Sequence, residues 1–172
     1  MTLYRQLTEQ EEADARKEER LVRVINGLEV VMSAEEEIEV RQEWAVGQFR
    51  TNQQQAATSV ESEYSARIGA GFSYVNHIFA CDGIAVADAK AIAEQLQANG
   101  APGNQAWADR DGTQVTMTNS NFISFARAIS AWNSGHRAIA RGKKASIAAC
   151  ADQAALDAYL NKSPTNSGWP SP

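Results

Sequence analysis

Two histidines, two cysteines, a run of glutamates and an Asp-rich turn are where side-chain type could support chemistry in this chain. His77 and His136 would serve as general bases or metal ligands, because imidazole changes charge near neutral pH. Neither has a Ser, Cys or Asp at motif spacing, so both are expected to be structural histidines. Cys81 and Cys150 are far apart in the sequence and have no His or Cys at a metal-ligand spacing. They read as buried free thiols in a reducing compartment.

Glu35, Glu36 and Glu37 would be candidates for paired acid–base work only in a concave site with unequal environments. At the start of a helix, complementarity to the helix dipole already explains them. Asp109-Arg110-Asp111-Gly112 begins like a calcium loop, but the glutamate an EF-hand needs six residues after its glycine is replaced by Thr118. Gly69-Ala70-Gly71 begins like a dinucleotide fingerprint, yet Tyr74 takes the third glycine position and no strand precedes it. The sequence therefore assigns no catalytic residue, no metal ligand and no cofactor.

At 172 residues the chain has room for one compact core, with or without an appendage. The net charge of −5 conceals an asymmetry: residues 1–63 carry 14 acidic against 7 basic side chains, and the remainder 7 against 9. That acidic bias argues against an extended nucleic-acid surface, which needs clustered cations. No apolar run approaches the ~20 residues of a membrane span. The start of the chain, with Arg5 followed by acidic residues, lacks the apolar region of a signal peptide, so a cytosolic product is expected.

The elements follow from periodicity. Thr8–Arg20 has a capping-box start and strong helix formers but almost no apolar face; Leu3, Tyr4 and Leu7 could anchor its beginning. Leu21–Met32 places two β-branched runs around Asn26-Gly27, a hairpin signal. Ser33 and Glu36 form a second capping box opening a helix whose Ile38, Gln42, Ala45 and Phe49 share a face, with Trp44 beside it. From residue 51 to 59 the chain is polar without Gly or Pro, so either one helix runs from 34 to about 67 or a joint interrupts it; the spacing favours the long helix. So lean an apolar stripe would need a partner, and self-pairing as a coiled coil is expected.

A second hairpin is expected over Phe72–Cys81, turning at Val75-Asn76, and a helix over Ile84–Ala98, stopped by Asn99-Gly100. A third hairpin, Gln105–Asp109 with Thr113–Met117, turns at Asp111-Gly112. Phe122, Phe125, Ile129, Trp132, His136, Ile139, Lys143 and Ile147 then fall at alternating steps of three and four, one face of a long helix capped by Asn119 or Ser120. Gly135 and Gly142 within it predict either a close neighbour or a kink. Asp152 caps a short last helix, and Trp169 is expected to fold back over the long one. The fold class is thus α+β and mostly helical, with a long helix packed against short β-hairpins and a second helix. The division expected is an acidic N-terminal arm, residues 1–67, for oligomerisation or partner binding, and a compact domain, residues 68–172.

The order of Phe72-Ser73-Tyr74, His77-Ile78-Phe79, an Ala- and Gln-rich helix, the Trp107 strand, Asp111–Met117, the long helix with Phe125 and His136, Ala154–Ala158 and a closing Gly168-Trp169-Pro170 is distinctive. It resembles a domain of unknown function found at the C-terminus of bacteriophage proteins encoded among tail and tail-fibre genes. Val24–Gly27 followed by Met32–Glu37 is also similar to the openings of phage tail-fibre assembly and tail-accessory proteins. The resemblance supplies no catalytic or binding residue. It implies a virion structural protein of the tail, baseplate or tail-fibre region, located in the virion tail after assembly in the host cytoplasm. Its partners would be other tail proteins and further copies of itself, contacted through Ile38, Trp44 and Phe49. The alternative it implies is a tail-fibre assembly chaperone absent from the finished particle. A cell-wall or polysaccharide-cleaving enzyme would need two converging carboxylates, and no candidate pair lies outside helix starts and turns.

Overall fold

The computed structural model describes residues 21–100 and 102–170. The expected helix over Thr8–Arg20, with its anchors Leu3, Tyr4 and Leu7, lies outside the described residues. The fold is α+β and mostly helical: among the described residues, four helices accompany three separate two-stranded antiparallel sheets. The chain divides into two compact units, Met1–Thr51 and Asn52–Pro172.

In the first unit, β1 (Val22–Ile25) pairs with β2 (Leu28–Val31) in the register Val22↔Val31 to Ile25↔Leu28. Asn26 and Gly27 both take positive φ, 51° and 83°, the backbone a type I′ turn requires. The capping box forms as expected: Ser33 N donates to Glu36 Oε2 at 2.9 Å, and Glu36 N to Ser33 Oγ at 3.2 Å. Arg23 on β1 pairs with Glu36 at 2.8 Å, tying the hairpin to the helix start. Helix α1 then runs unbroken over Ala34–Ala70 and contributes residues to both units.

The second unit claims α1 from Asn52 onward, earlier than the boundary at 67/68 expected from the Gly69-Ala70-Gly71 break. Ala56 and Val60 are buried there. Gln53 Nε2 donates to Ile147 O and Asn52 Nδ2 to Gln153 Oε1, each at 2.8 Å, and Lys144 pairs with Glu61 at 2.6 Å. This part of the lean stripe thus finds its partner inside its own unit, where a coiled coil between copies was expected.

Strands β3 (Phe72–Tyr74) and β4 (His77–Phe79) form the second hairpin; the return strand ends two residues before Cys81. Val75, at φ 49°, and Asn76, at φ 63°, make its turn, and a β-branched residue in the left-handed region is strained. Gly71 enters the hairpin at φ 91°, where an added Cβ would lie 2.6 Å from Ile78 Cγ2 and 2.8 Å from Phe79 O. Helix α2 (Gly83–Asn99) is capped by Asp82, whose carboxylate accepts from Ile84 N and Ala85 N, and is ended by Gly100 at φ 58°. Strands β5 (Asn104–Ala108) and β6 (Gln114–Thr118) lie within one residue of expectation.

Helix α3 (Asn119–Ala148) is the spine, and α4 (Gln153–Lys162) follows with Asp152 as cap. The α3 cap is Thr118 rather than Asn119 or Ser120, because its hydroxyl, at the end of β6, accepts from Asn121 N at 3.2 Å. Phe122, Phe125, Ile129, His136, Lys143 and Ile147 face inward as the spacing predicts, while Trp132 and Ile139 are only half-buried. Ala126, Asn133 and Ala140 take buried positions instead.

Among the described residues, no neighbouring element comes within 4 Å of where a Cβ on Gly135 or Gly142 would sit, so close approach does not explain them. Gly142 is also exposed. Gly142→Ala is therefore expected to stabilise the protein by ~0.5–1 kcal/mol. Gly71→Ala should destabilise it by more than ~1 kcal/mol through strain and overlap. Chemical denaturation of the two variants checks the opposite signs; equal shifts would contradict the geometry.

Candidate interaction surface

None of the residues from 21 to 51 is buried. Ile38 is 56% and Trp44 61% exposed, and Phe49 is half-buried. At 3.6 residues per turn, Ile38 and Phe49 lie on one side of α1, and Trp44 lies about 120° round from them. The three expected contact residues therefore form two adjoining faces rather than one. Val22, Val24, Leu28 and Val46 are also exposed, which sequence reasoning missed. The signal was present in the hairpin, where Val22, Val24 and Val31 fall on one face of a sheet of only two strands.

In the second unit, His77 Nδ1 lies 2.9 Å from Asp109 Oδ2. The other carboxylate oxygen accepts from Asp111 N at 3.0 Å and Thr113 N at 2.9 Å. The His77 hydrogen bond, followed by those two backbone donors, holds the Asp109 carboxyl below the usual aspartate range. A carboxylate beside an imidazole can orient a base, which then needs a nucleophile to activate. The thiol of Cys81 is pushed up to about 11, chiefly by burial, and donates to Ile68 O at 3.2 Å, so it stays protonated at neutral pH. What the pair does visibly is join hairpins. Beside it, Arg110 N donates to Ile78 O at 2.7 Å and Arg110 Nη1 to Ala70 O at 3.0 Å. Asp109, the first residue of the run that begins like a calcium loop, gives one carboxylate oxygen to the turn and the other to His77.

His136 is fully buried between two tryptophans. Its ring centroid is 3.9 Å from that of Trp132 and 5.8 Å from that of Trp169, the latter nearly parallel at 19°. Nδ1 pairs with Trp132 O at 2.9 Å, but Nε2 has no partner, so only half of this imidazole is satisfied. Trp169 folds back onto the spine, as expected. Arg67 lies over the Trp169 ring, 5.4 Å from its centroid, and the indole N–H donates to Thr165 O at 2.9 Å. Lys143, buried on the same helix, fixes this tail by donating to Pro164 O at 2.8 Å and Ser163 Oγ at 3.2 Å. Burial pulls its ammonium pKa down.

Among the described residues, no three or more His, Cys, Asp or Glu side chains are grouped to hold a metal ion. No described helix is long and apolar enough to cross a membrane. A groove of about 490 Å³ between α2 and α3, lined by Val86, Lys90, Glu94, Arg127, Ser130 and Ser134, has mixed charge.

Residues 50–160 match the model of a family described as a domain of unknown function (DUF4376). The chain belongs to this family. The DUF4376 segment begins just before the second unit and ends within α4. It therefore contains the His77–Asp109 pair, the aromatic core and the spine, and leaves out both the first-unit hairpin and the closing Gly168-Trp169-Pro170. No curated protein and no solved structure matches the chain.

Two outcomes follow for the second unit. A carboxyl whose folded pKa is depressed adds stability that is complete above the ordinary aspartate value, near ~4, and is lost as pH falls through the lower folded value. Asp109→Asn should therefore be less stable than the parent at pH 7, with the gap closing below about pH 4; a gap independent of pH would contradict the pairing. Trp169→Ala should cost ~1–3 kcal/mol by uncovering His136 and releasing Arg67, read as a lower denaturation midpoint.

Proposed function

We propose that this chain is a non-catalytic structural part of a bacteriophage virion, in the tail, baseplate or tail-fibre region, and that it acts by making assembly contacts. The observation that carries this reading is the absence of any buried side chain from 21 to 51. A lone two-stranded hairpin is marginal in water, and a helix with Ile38, Trp44 and Val46 exposed gains nothing from its own apolar surface. Covering a large apolar side chain contributes ~1.5–3 kcal/mol, so a partner laid over these faces has several such contributions to draw on. The order of elements from Gly71 to Pro170, with its resemblance to a domain encoded among phage tail genes, supports the setting.

The second unit supplies the rigid scaffold, and the first supplies the contact, either to a neighbouring tail protein or to another copy. An assembly chaperone would use the same faces transiently, so the finished particle is where the readings part. Mass spectrometry of purified virions is expected to find peptides of this chain at fixed stoichiometry. Peptides found in lysates during assembly but missing from particles would overturn the virion assignment in favour of a chaperone. A chain carrying Ile38→Ser and Trp44→Ser should melt as the parent does, since neither residue is buried, yet be lost from particles. Normal incorporation of that variant would show that these faces are not the contact.

A further inference from the structure

Helix α1 carries an unusual local arrangement near its start. Glu35, Glu39 and Glu43 follow one another at steps of four, about 6 Å of rise each, and so form one line along the helix. All three are exposed, and their carboxylates make no ion pair or hydrogen bond among the described residues, whereas Glu36 and Glu37 are paired with Arg23 and Arg41. Like charges at this spacing repel and weaken a helix by a few tenths of a kcal/mol per pair. The spine has the opposite arrangement. From Asn119 to Ala148 it contains no Asp or Glu, and Arg137 and Arg141, also exposed and without an ion pair among the described residues, stand four residues apart. Of its other cations, Lys143 holds the tail and Lys144 pairs with Glu61, while Arg127, exposed, lines the groove against α2.

We infer that the Arg137–Arg141 face of α3 receives the Glu35–Glu39–Glu43 face of α1 from a second copy of this chain. Two helices each bear an unneutralised line of charge, of opposite sign and equal pitch, and one helix-on-helix contact satisfies both. The two lines are on the same chain and neither is used within it, so the contact is self-complementary. Each copy gives its acidic helix and receives its partner's, the closed two-fold pattern of most homodimers. Exposed ion pairs contribute only ~0–1 kcal/mol each and fix orientation more than affinity. The apolar part comes from Ile38 and Val46 flanking the glutamates, laid against the exposed Ala131, Ala138 and Ala145 beside the arginines. Those short side chains let a second helix approach closely. This pairing rests on the reading of the first unit as a docking element and names what it docks on; it does not depend on the particle being a phage tail.

The test is sedimentation velocity of the full chain. The parent is expected to dimerise at about 50 mM salt and to shift towards monomer at about 0.5 M, as screened ion pairs do. Glu39→Lys with Glu43→Lys, and separately Arg137→Glu with Arg141→Glu, should each weaken self-association on the order of 10-fold or more. An equimolar mixture of the two variants should recover it as a heterodimer, because every reversed line again meets its opposite. Circular dichroism and melting confirm that each variant is folded. A monomeric parent at low salt, variants that dimerise like the parent, or a mixture of folded variants that stays monomeric would each overturn the pairing. Incorporation into virions is read separately, so failure of this pairing leaves the assembly reading standing on its own test.

Discussion

Phe125 is the point on which the second unit closes. Its ring lies 4.8 Å from Phe79, 5.3 Å from Tyr74 and 5.7 Å from Phe122, with Phe72 and Trp107 each at 6.3 Å. Those five rings come from the β3–β4 hairpin, from β5 and from α3 itself. The two short hairpins have no sheet in common, and the backbone bond from Arg110 N to Ile78 O joins them at a turn rather than along a ladder. They are held because each sends an aromatic side chain to the same residue of the spine, in tilted geometries that suit ring quadrupoles.

Apolar packing orders the regular elements, and buried polar groups order what lies between them. Asn133 Nδ2 donates to Cys81 O at 2.6 Å, fixing the stretch between β4 and α2. Lys143 fixes Ser163 and Pro164 after α4, and Gln53 reaches the carbonyl of Ile147 near the end of α3. Each is an inward-facing residue on a helix whose polar end meets irregular or terminal backbone. Such backbone needs hydrogen-bond partners that a hydrophobic contact does not supply.

Much of this was legible before any coordinates, and the failures share a cause. Asn26-Gly27, Gly100 and Asp111-Gly112 announce their turns because each position needs a backbone that few residues adopt. Val75-Asn76 was legible only from the apolar runs on either side, since a β-branched residue is a poor predictor of positive φ. Along the spine, large side chains at steps of three and four drew the buried face towards Trp132 and Ile139. The face actually buried is turned towards Ala126, Asn133 and Ala140: Ala126 shares a cluster with Ala89 and Ala93 of α2, where small residues permit the approach, and Asn133 reaches Cys81 O. Size and polarity hid those positions from a reading weighted by hydrophobicity. The contact between His77 and Asp109 was invisible for a different reason: it joins two hairpins that local periodicity treats as independent.

Helix α1 is held differently over its two stretches. From Asn52 on it depends on burial of Ala56 and Val60. Before Thr51 it depends on devices that need no burial: the Ser33–Glu36 box, acidic side chains in the first turn, and the Glu37–Arg41 pair. Starting a helix is the unfavourable step and extending one is not. A stretch continuous with an anchored helix therefore forms without its own nucleus and without a partner. Ile38, Trp44 and Glu39 are consequently displayed on an already ordered backbone, and any surface that docks there avoids most of the ordering cost a flexible arm would impose. On the assembly role proposed above, a continuous helix with a bare front end would act as a preorganised binding element, and the missing local core of the first unit would be made good by the partner.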